Sequence, residues 1–393
     1  MKDSTTVEMP PSQDVPDMKV LRSLIPKHCF KSSFVRSMSY VIRDIILMSM
    51  LFYAGLKLTS LAPSISRAAM LTAYGFTQGL VFTGIWILAH DCGHDSFSPN
   101  KKANSVVGFV LHSILLVPFF SWKYSHARHH RYTNHMEKDT VFVPRRESDQ
   151  RKSLLSRSLE LLGYAEDAPV VNAGTLVIHQ LFGWPAYILL NAGGGQRSLV
   201  TSDRSKSLRQ SHLDPGADLF STAEHPFVFL SNVGIAVVFV ALWFAANAIG
   251  AYNVFLLYGI PYLWMNHWIV AITYLHHTHP EAPRYEQESW TFQKGVLATV
   301  DRDFGFIGRH LFHGIIEYHV IHHMFPRIPF YHAQEATEAI SPYLGKAYIR
   351  QKSSFIGDLW TTYSTCTYVA EREKASGEVY WTSASLKAAA PIR

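Results

Sequence analysis

Four stretches of this 393-residue chain are apolar over roughly the 20 residues that cross a bilayer. They fall at residues 41–61, 67–89, 227–249 and 252–275, and each reads as a membrane-spanning helix. The first opens on Arg43 and Asp44, close enough to its start for charged groups to reach the interface. Pro63 and Ser64 turn the chain into the second, which runs directly into His90. Almost nothing polar separates the third from the fourth, so the pair reads as a hairpin with a minimal loop. Upstream, residues 21–40 interleave Leu21, Leu24, Ile25, Phe30, Phe34 and Val35 with Arg22, Lys27, Lys31 and Arg36. That pattern predicts an amphipathic segment lying on the membrane surface. The polar, Pro-containing residues 1–20 read as a disordered tail, residues 21–375 as the membrane domain and residues 376–393 as a C-terminal tail.

Two further apolar runs are interrupted. Ser105 to Trp122 contains His112 and Pro118, and Val170 to Asn191 is broken by Gly183-Trp184-Pro185. Both read as re-entrant or interfacial pieces, because a crossing at either would separate the polar clusters described below. With four crossings, those clusters share one aqueous face. Lys27, Lys31, Arg36, Lys101, Lys102, Lys123, Arg128, Arg131, Arg145, Arg146, Arg302 and Arg309 fall on that face, against Lys57 and Arg67 opposite. The positive-inside rule makes it cytosolic. The expected fold class is therefore all-α: a polytopic membrane protein with four spans, interfacial or re-entrant helices and a cytosolic helical cap.

Composition narrows the partners. An apolar content of 48% fits a membrane protein better than two soluble domains. The net charge of +6 lies beside apolar runs and not in one tract, which suits a membrane surface better than nucleic acid. Cys29, Cys92 and Cys366 are too few and too scattered for a disulfide framework, and the N-terminus lacks a signal-peptide design.

The candidate chemistry lies in the histidines. His126-Ala-Arg-His129-His130 and His319-Val-Ile-His322-His323 each hold imidazoles at i, i+3 and i+4, on one face of a helix. His90-Asp-Cys-Gly-His94 adds a pair at i, i+4. Eight imidazoles placed together mean metal, in a number that exceeds the three protein ligands of a catalytic zinc and suits two ions. His276-His277-Thr278-His279 closes the fourth span on the same side and supplies a ninth ligand, with His277 favoured. Asp91, Asp95, Asn134, Asp139, Asp301, Asp303 and Glu317 are candidates to fix the imidazole tautomers. His112, His179, His225 and His267 read as packed or surface residues. Iron on nitrogen ligands activates O2 strongly enough to take hydrogen from an unactivated methylene, and a bilayer supplies such substrates. No dinucleotide fingerprint or haem domain is recognisable, so the electrons come from a partner.

The three histidine boxes resemble those of the integral-membrane fatty-acyl desaturases, with the match closest to the fungal and plant omega-6 (Δ12) and omega-3 enzymes. The likeness extends through Ile25-Pro-Lys-His-Cys-Phe30, Leu115-Leu-Val-Pro118, Phe182-Gly-Trp-Pro185, Thr299-Val-Asp-Arg-Asp-Phe304 and Ile328-Pro-Phe-Tyr-His-Ala333, over roughly residues 20–370. It implies two iron ions held by His90, His94, His126, His129, His130, His277, His319, His322 and His323. It also implies O2 as co-substrate, electrons from NADH through cytochrome b5 and its reductase, a fatty-acyl lipid or coenzyme A thioester substrate, and the endoplasmic reticulum membrane. Insertion of a cis double bond at Δ12, converting oleate to linoleate, is the expected reaction. An omega-3 or bifunctional desaturase and a fatty-acyl hydroxylase are the alternatives on the same scaffold. A zinc protease lacks its His-Glu-x-x-His here, and a metal transporter would carry its ligands in mid-span.

Overall fold

The computed structural model describes residues 15–149, 168–204, 207–372 and 376–383. Helix α1 (Met18–Leu24) starts at Asp17, whose side chain accepts from the amide of Lys19. A 3-10 turn at Lys27–Phe30 leads to α2 (Phe34–Thr59) and then α3 (Ile65–Gly93); Ser33 and Ser64 cap their first turns by accepting from Arg36 and Arg67. Helix α3 is the centre of the molecule. It lies against α2 and against α8 (Ala251–His276), and its buried side chains dominate the main core. Gly75 and Gly79, spaced as Gly-x-x-x-Gly, permit that approach to α8. A Cβ at Gly79 would stand 2.3 Å from the Trp264 Cβ.

Helices α4 (Lys101–Ile114) and α5 (Phe119–Arg131) meet at a bend of 109°. The bend fits the expected re-entrant piece: the chain runs along α4, turns at Leu115–Pro118 with Leu116 at φ 54°, and returns on α5. Helices α6 (Pro169–Leu190) and α7 (His225–Ile249) follow. The hairpin from α7 to α8 has a one-residue turn, Gly250, at φ 89°, where a glycine carries no steric penalty.

Beyond α8 the chain builds a cap. Its short helices are α9 (Phe292–Leu297), α10 (His319–Met324), α11 (Ala333–Leu344) and α12 (Phe355–Thr365). Small strands β1 (Arg284–Tyr285), β2 (Val300–Asp301), β3 (Ile349–Arg350), β4 (Tyr368–Glu371) and β5 (Glu378–Thr382) tie these together. β5 lies between β1 and β4, antiparallel to both, with Val369 opposite Trp381, and β2 runs parallel to β3.

By length and apolar content four helices qualify as spans, namely α3, α6, α7 and α8. This set includes α6, which the sequence reading kept out of the bilayer, and omits α2. Counting sides is compatible with the expected set of α2, α3, α7 and α8. His94 precedes α4, His126 lies in the last two turns of α5, and both belong to one cluster, so the chain makes no net crossing between them. His277 follows α8 and lies 3.3 Å from His129 of α5. With α7 and α8 crossing, α6 cannot. The turn after α1 packs on the cap, since Leu21, Ile25 and Cys29 share a core with Ile321 and Ala336. The two ends of the α2–α3 pair therefore lie on one side, so that if α3 crosses, α2 crosses with it. Its 26 residues reach about 39 Å.

Several expectations are corrected. Within residues 21–40, Leu21, Ile25 and Cys29 are buried in a core shared with α11 while Phe34 and Val35 stay exposed, and α2 already begins at Phe34. Asp44 faces the protein interior. It is 3% exposed, 2.7 Å from the Arg43 guanidinium and 2.9 Å from His313 Nε2, a partner from the cap that hydropathy cannot foresee. The tails are shorter than drawn, because α1 begins inside residues 1–20 and β5 lies inside residues 376–393. Residues 1–14 and 384–393 of those segments lie outside the described residues.

Candidate metal centre

Each histidine box is placed by a helix end. His90 closes α3 and His94 caps it; α5 carries His126, His129 and His130 in its last two turns; α10 carries His319, His322 and His323; and His277 caps α8. All nine side chains expected at the site come together. In the first cluster His90 Nε2 lies 3.3 Å from His94 Nε2 and 3.1 Å from His126 Nε2, His126 Nε2 lies 3.1 Å from His130 Nε2, and His130 Nε2 lies 3.1 Å from His322 Nε2. In the second, His277 Nε2 lies 3.3 Å from His129 Nε2 and 3.2 Å from His319 Nε2, and His323 completes a compact trio with His129 and His277. The two clusters abut where the rings of His130 and His323 stack at 4.0 Å.

The first cluster fits a cation better than it fits hydrogen bonds. An imidazole nitrogen offers one hydrogen or one lone pair. The Nε2 atoms of His90, His126 and His130 each face two other Nε2 atoms, so none of the three can bond both neighbours. Five lone pairs turned on one ion satisfy them all. With metal–nitrogen bonds of about 2.1 Å, separations of 3.1–3.3 Å correspond to ligand angles of roughly 95–104°. In the second cluster His323 Nε2 is buried without a hydrogen-bond partner. Burial, reinforced by neighbouring imidazoles, drives His94, His277, His319, His322 and His323 far below the ordinary histidine range, which keeps their lone pairs free.

Two side chains settle tautomers. Asp139 Oδ1 accepts the His129 Nδ1–H at 2.7 Å and the Val141 amide at 3.0 Å, and its Oδ2 accepts the Asn134 amide at 3.0 Å. Burial alone would raise the Asp139 carboxyl, but His129, Arg284 and these donors hold it below the usual carboxylate range. Thr133 gives its hydroxyl hydrogen to the His129 carbonyl at 2.6 Å, so at 3.0 Å it accepts from His323 Nδ1. Both histidines therefore turn Nε2 inward. His276 instead donates from Nδ1 to the Val300 carbonyl at 2.5 Å, outside the cluster, in keeping with the preference for His277.

The other acidic candidates divide. Asp301 accepts the Val320 amide at 2.8 Å and so fixes the start of α10, and Asp91 stands 3.4 Å from His90 Nδ1 while accepting the Phe330 amide. Asp95 pairs with Lys123, Asp303 with Arg309, and Glu317 accepts the Phe304 amide; these carboxylates make no bond to a site imidazole. His112 is packed as expected, with Nε2 on the Trp86 carbonyl. The sequence reading missed Thr133 and the indoles that wall the centre, Trp122 stacked on His126 at 4.4 Å and Trp86 on His90 at 5.6 Å. The only signal for the indoles was their position four residues before a box histidine, one helical turn away.

A family model of fatty acid desaturases matches residues 67–355. The chain belongs to the fatty acid desaturase family. It is 40% identical over 375 residues to an oleate hydroxylase of Claviceps purpurea, covering 92% of this chain and 78% of that one. It is 38% identical to a Δ12 fatty acid desaturase of Mortierella alpina (90% of this chain, 88% of that one) and 39% identical to a Δ12 fatty acid desaturase of Arabidopsis thaliana (92% and 90%). This desaturase-family chain is thus a membrane oxidoreductase acting on fatty acyl chains, and its histidine clusters fit a metal site. A small cavity of about 20 Å³, lined by Ile87, Asp91, His313, Tyr318, Ile321 and Phe330, lies beside His322 of the first cluster.

Proposed function

We propose that this protein is a di-iron Δ12 acyl-lipid desaturase that converts oleate to linoleate. The observation that carries the reading is the pair of adjoining, buried imidazole clusters, five and four rings, on a scaffold shared with Δ12 enzymes over nine-tenths of the chain. His90, His94, His126, His130 and His322 would hold one iron, and His129, His277, His319 and His323 the other. Two irons bound there supply O2 activation and the oxidising power to remove two hydrogens from adjacent methylenes, with release of water. The chain contributes the rest. Buried neutral imidazoles present their lone pairs, Asp139 and Thr133 hold protons on the outward nitrogens, and Trp86 and Trp122 wall the centre against water. Electrons come from NADH through cytochrome b5, whose acidic surface the basic face would receive. The positive-inside bias supports placing that face in the cytosol, at the endoplasmic reticulum membrane.

The 40% identity to an oleate hydroxylase favours a second reading, in which the same centre hydroxylates oleate. Expression in yeast, which makes oleate but little polyunsaturated lipid, followed by fatty-acid analysis decides between them. A linoleate peak supports Δ12 desaturation, and a hydroxylated oleate supports the second reading. A trienoic acid formed only on linoleate feeding would assign omega-3 activity, and no new lipid from well-folded protein refutes all three.

A further inference from the structure

The metal centre leaves two sequence motifs unused, and they meet on the cap. Ile25-Pro-Lys-His-Cys-Phe30 brings His28 and Cys29 to the start of α11, where Ile328-Pro-Phe-Tyr-His-Ala333 and the first turn of the helix supply His332 and Glu335. His28 Nε2 lies 2.8 Å from Glu335 Oε2 and His332 Nδ1 lies 3.8 Å from the same oxygen. The two imidazoles stand edge to face at 5.3 Å, and Cys29 is fully buried beneath them. One ligand atom from each of the four residues falls within 4.8 Å of all the others.

We propose that His28, Cys29, His332 and Glu335 form a zinc site, separate from the histidine centre, that fastens the N-terminal segment to the cap. An exposed ion pair between His28 and Glu335 would contribute little and would need neither the thiol nor the second imidazole. One thiolate, two imidazoles and one carboxylate are instead a zinc ligand set, with a sulfur that the histidine centre lacks. Bond lengths of about 2.0–2.3 Å give a tetrahedron with edges of about 3.3–3.8 Å. His28 and Glu335 are half-exposed and can adjust to it around the buried Cys29 and the largely buried His332. Zinc binding displaces the thiol proton of Cys29 to solvent, leaving a thiolate ligand. The clamp has a consequence for the reaction centre. The segment it secures includes Phe330, whose amide donates to Asp91 beside His90, at 3.3 Å.

The test uses the full-length protein purified in detergent, with zinc and iron measured on the same sample. About one zinc per chain is expected, and X-ray absorption at the zinc edge should show one sulfur neighbour at about 2.3 Å. Cys29→Ser and His332→Asn should each lower zinc content at least tenfold with iron content unchanged. Absence of zinc after zinc-supplemented expression, zinc without a sulfur neighbour, or zinc undiminished in Cys29→Ser overturns the proposal. Should the variants fail to fold, the sulfur neighbour in the unmodified protein decides the matter alone.

Discussion

Asp139→Asn tests the logic of the second cluster with the loss of a single charge. The carboxylate accepts three hydrogen bonds, one from His129 Nδ1 and two from the amides of Asn134 and Val141. A carboxamide has one oxygen, and both orientations fail. With its oxygen toward His129 and Val141, the NH2 group confronts the Asn134 N–H, donor against donor. Flipped, the NH2 group faces His129 and forces its proton onto Nε2, which then points a hydrogen at His277, 3.3 Å away, where a lone pair is required. Removing such a partner typically lowers metal affinity about 10–100-fold, or about 1.4–2.7 kcal/mol. The loss should fall on one of two irons. Iron titration of the purified variant is therefore expected to leave one tight site and shift the other by that factor, with new unsaturated lipid in yeast falling in parallel. Asp303→Asn, which alters a half-exposed carboxylate paired with Arg309, is the control and should bind both irons as before. Unchanged affinity at both sites in Asp139→Asn would refute the assignment of Asp139 as the group that fixes His129.

Three further outcomes are expected. His126→Gln should empty the first cluster and His129→Gln the second, so each variant retains about one iron per chain by elemental analysis and forms no product. Gly79→Leu places side-chain atoms where Trp264 already stands 2.3 Å from the added Cβ; overpacking of this kind costs about 1–3 kcal/mol, read as a lower midpoint of thermal unfolding in detergent. Single cysteines introduced at Ala168 and Ala192, at the two ends of α6, should be labelled by an impermeant maleimide from the same side of sealed microsomes, and one at Ala251 from the opposite side. Labelling of the α6 ends from opposite sides would break the side-counting.

What was legible in the chain followed from short-range geometry. The i, i+3, i+4 spacing named the ligand faces, Pro118 marked the re-entrant bend, and the unbroken run through residue 250 marked the hairpin. The failures share a cause, since each depended on a partner distant in sequence. Asp44 is tolerated inside α2 because His313 meets it from the cap, and Leu21, Ile25 and Cys29 are buried because α11 covers them. Seven acidic or amide side chains near the boxes were equivalent by sequence. Asp139 reaches His129 whereas Glu317 accepts the Phe304 amide, a difference that the folding of the loop ten residues after His129 decides. Apolar content likewise ranks α6 above α2 as a span, because it records what a helix can do and not which side its ends must share.

The spacing also acquires a meaning that one helix face did not convey. In α5 the i, i+4 pair, His126 and His130, turns to the first cluster while the i+3 residue, His129, turns to the second. Helix α10 reverses this: His322 joins the first cluster, and His319 and His323 join the second. Residues at i+3 and i+4 lie on opposite edges of the stripe that faces a partner helix, about 60° to one side and about 40° to the other side of the line from residue i. Three imidazoles so spaced therefore straddle two ions, whereas the i, i+4 pair of α3 serves one. Each cluster draws on at least three helices, so binding of either ion would tie the spans to the cap and stabilise the folded chain by mass action.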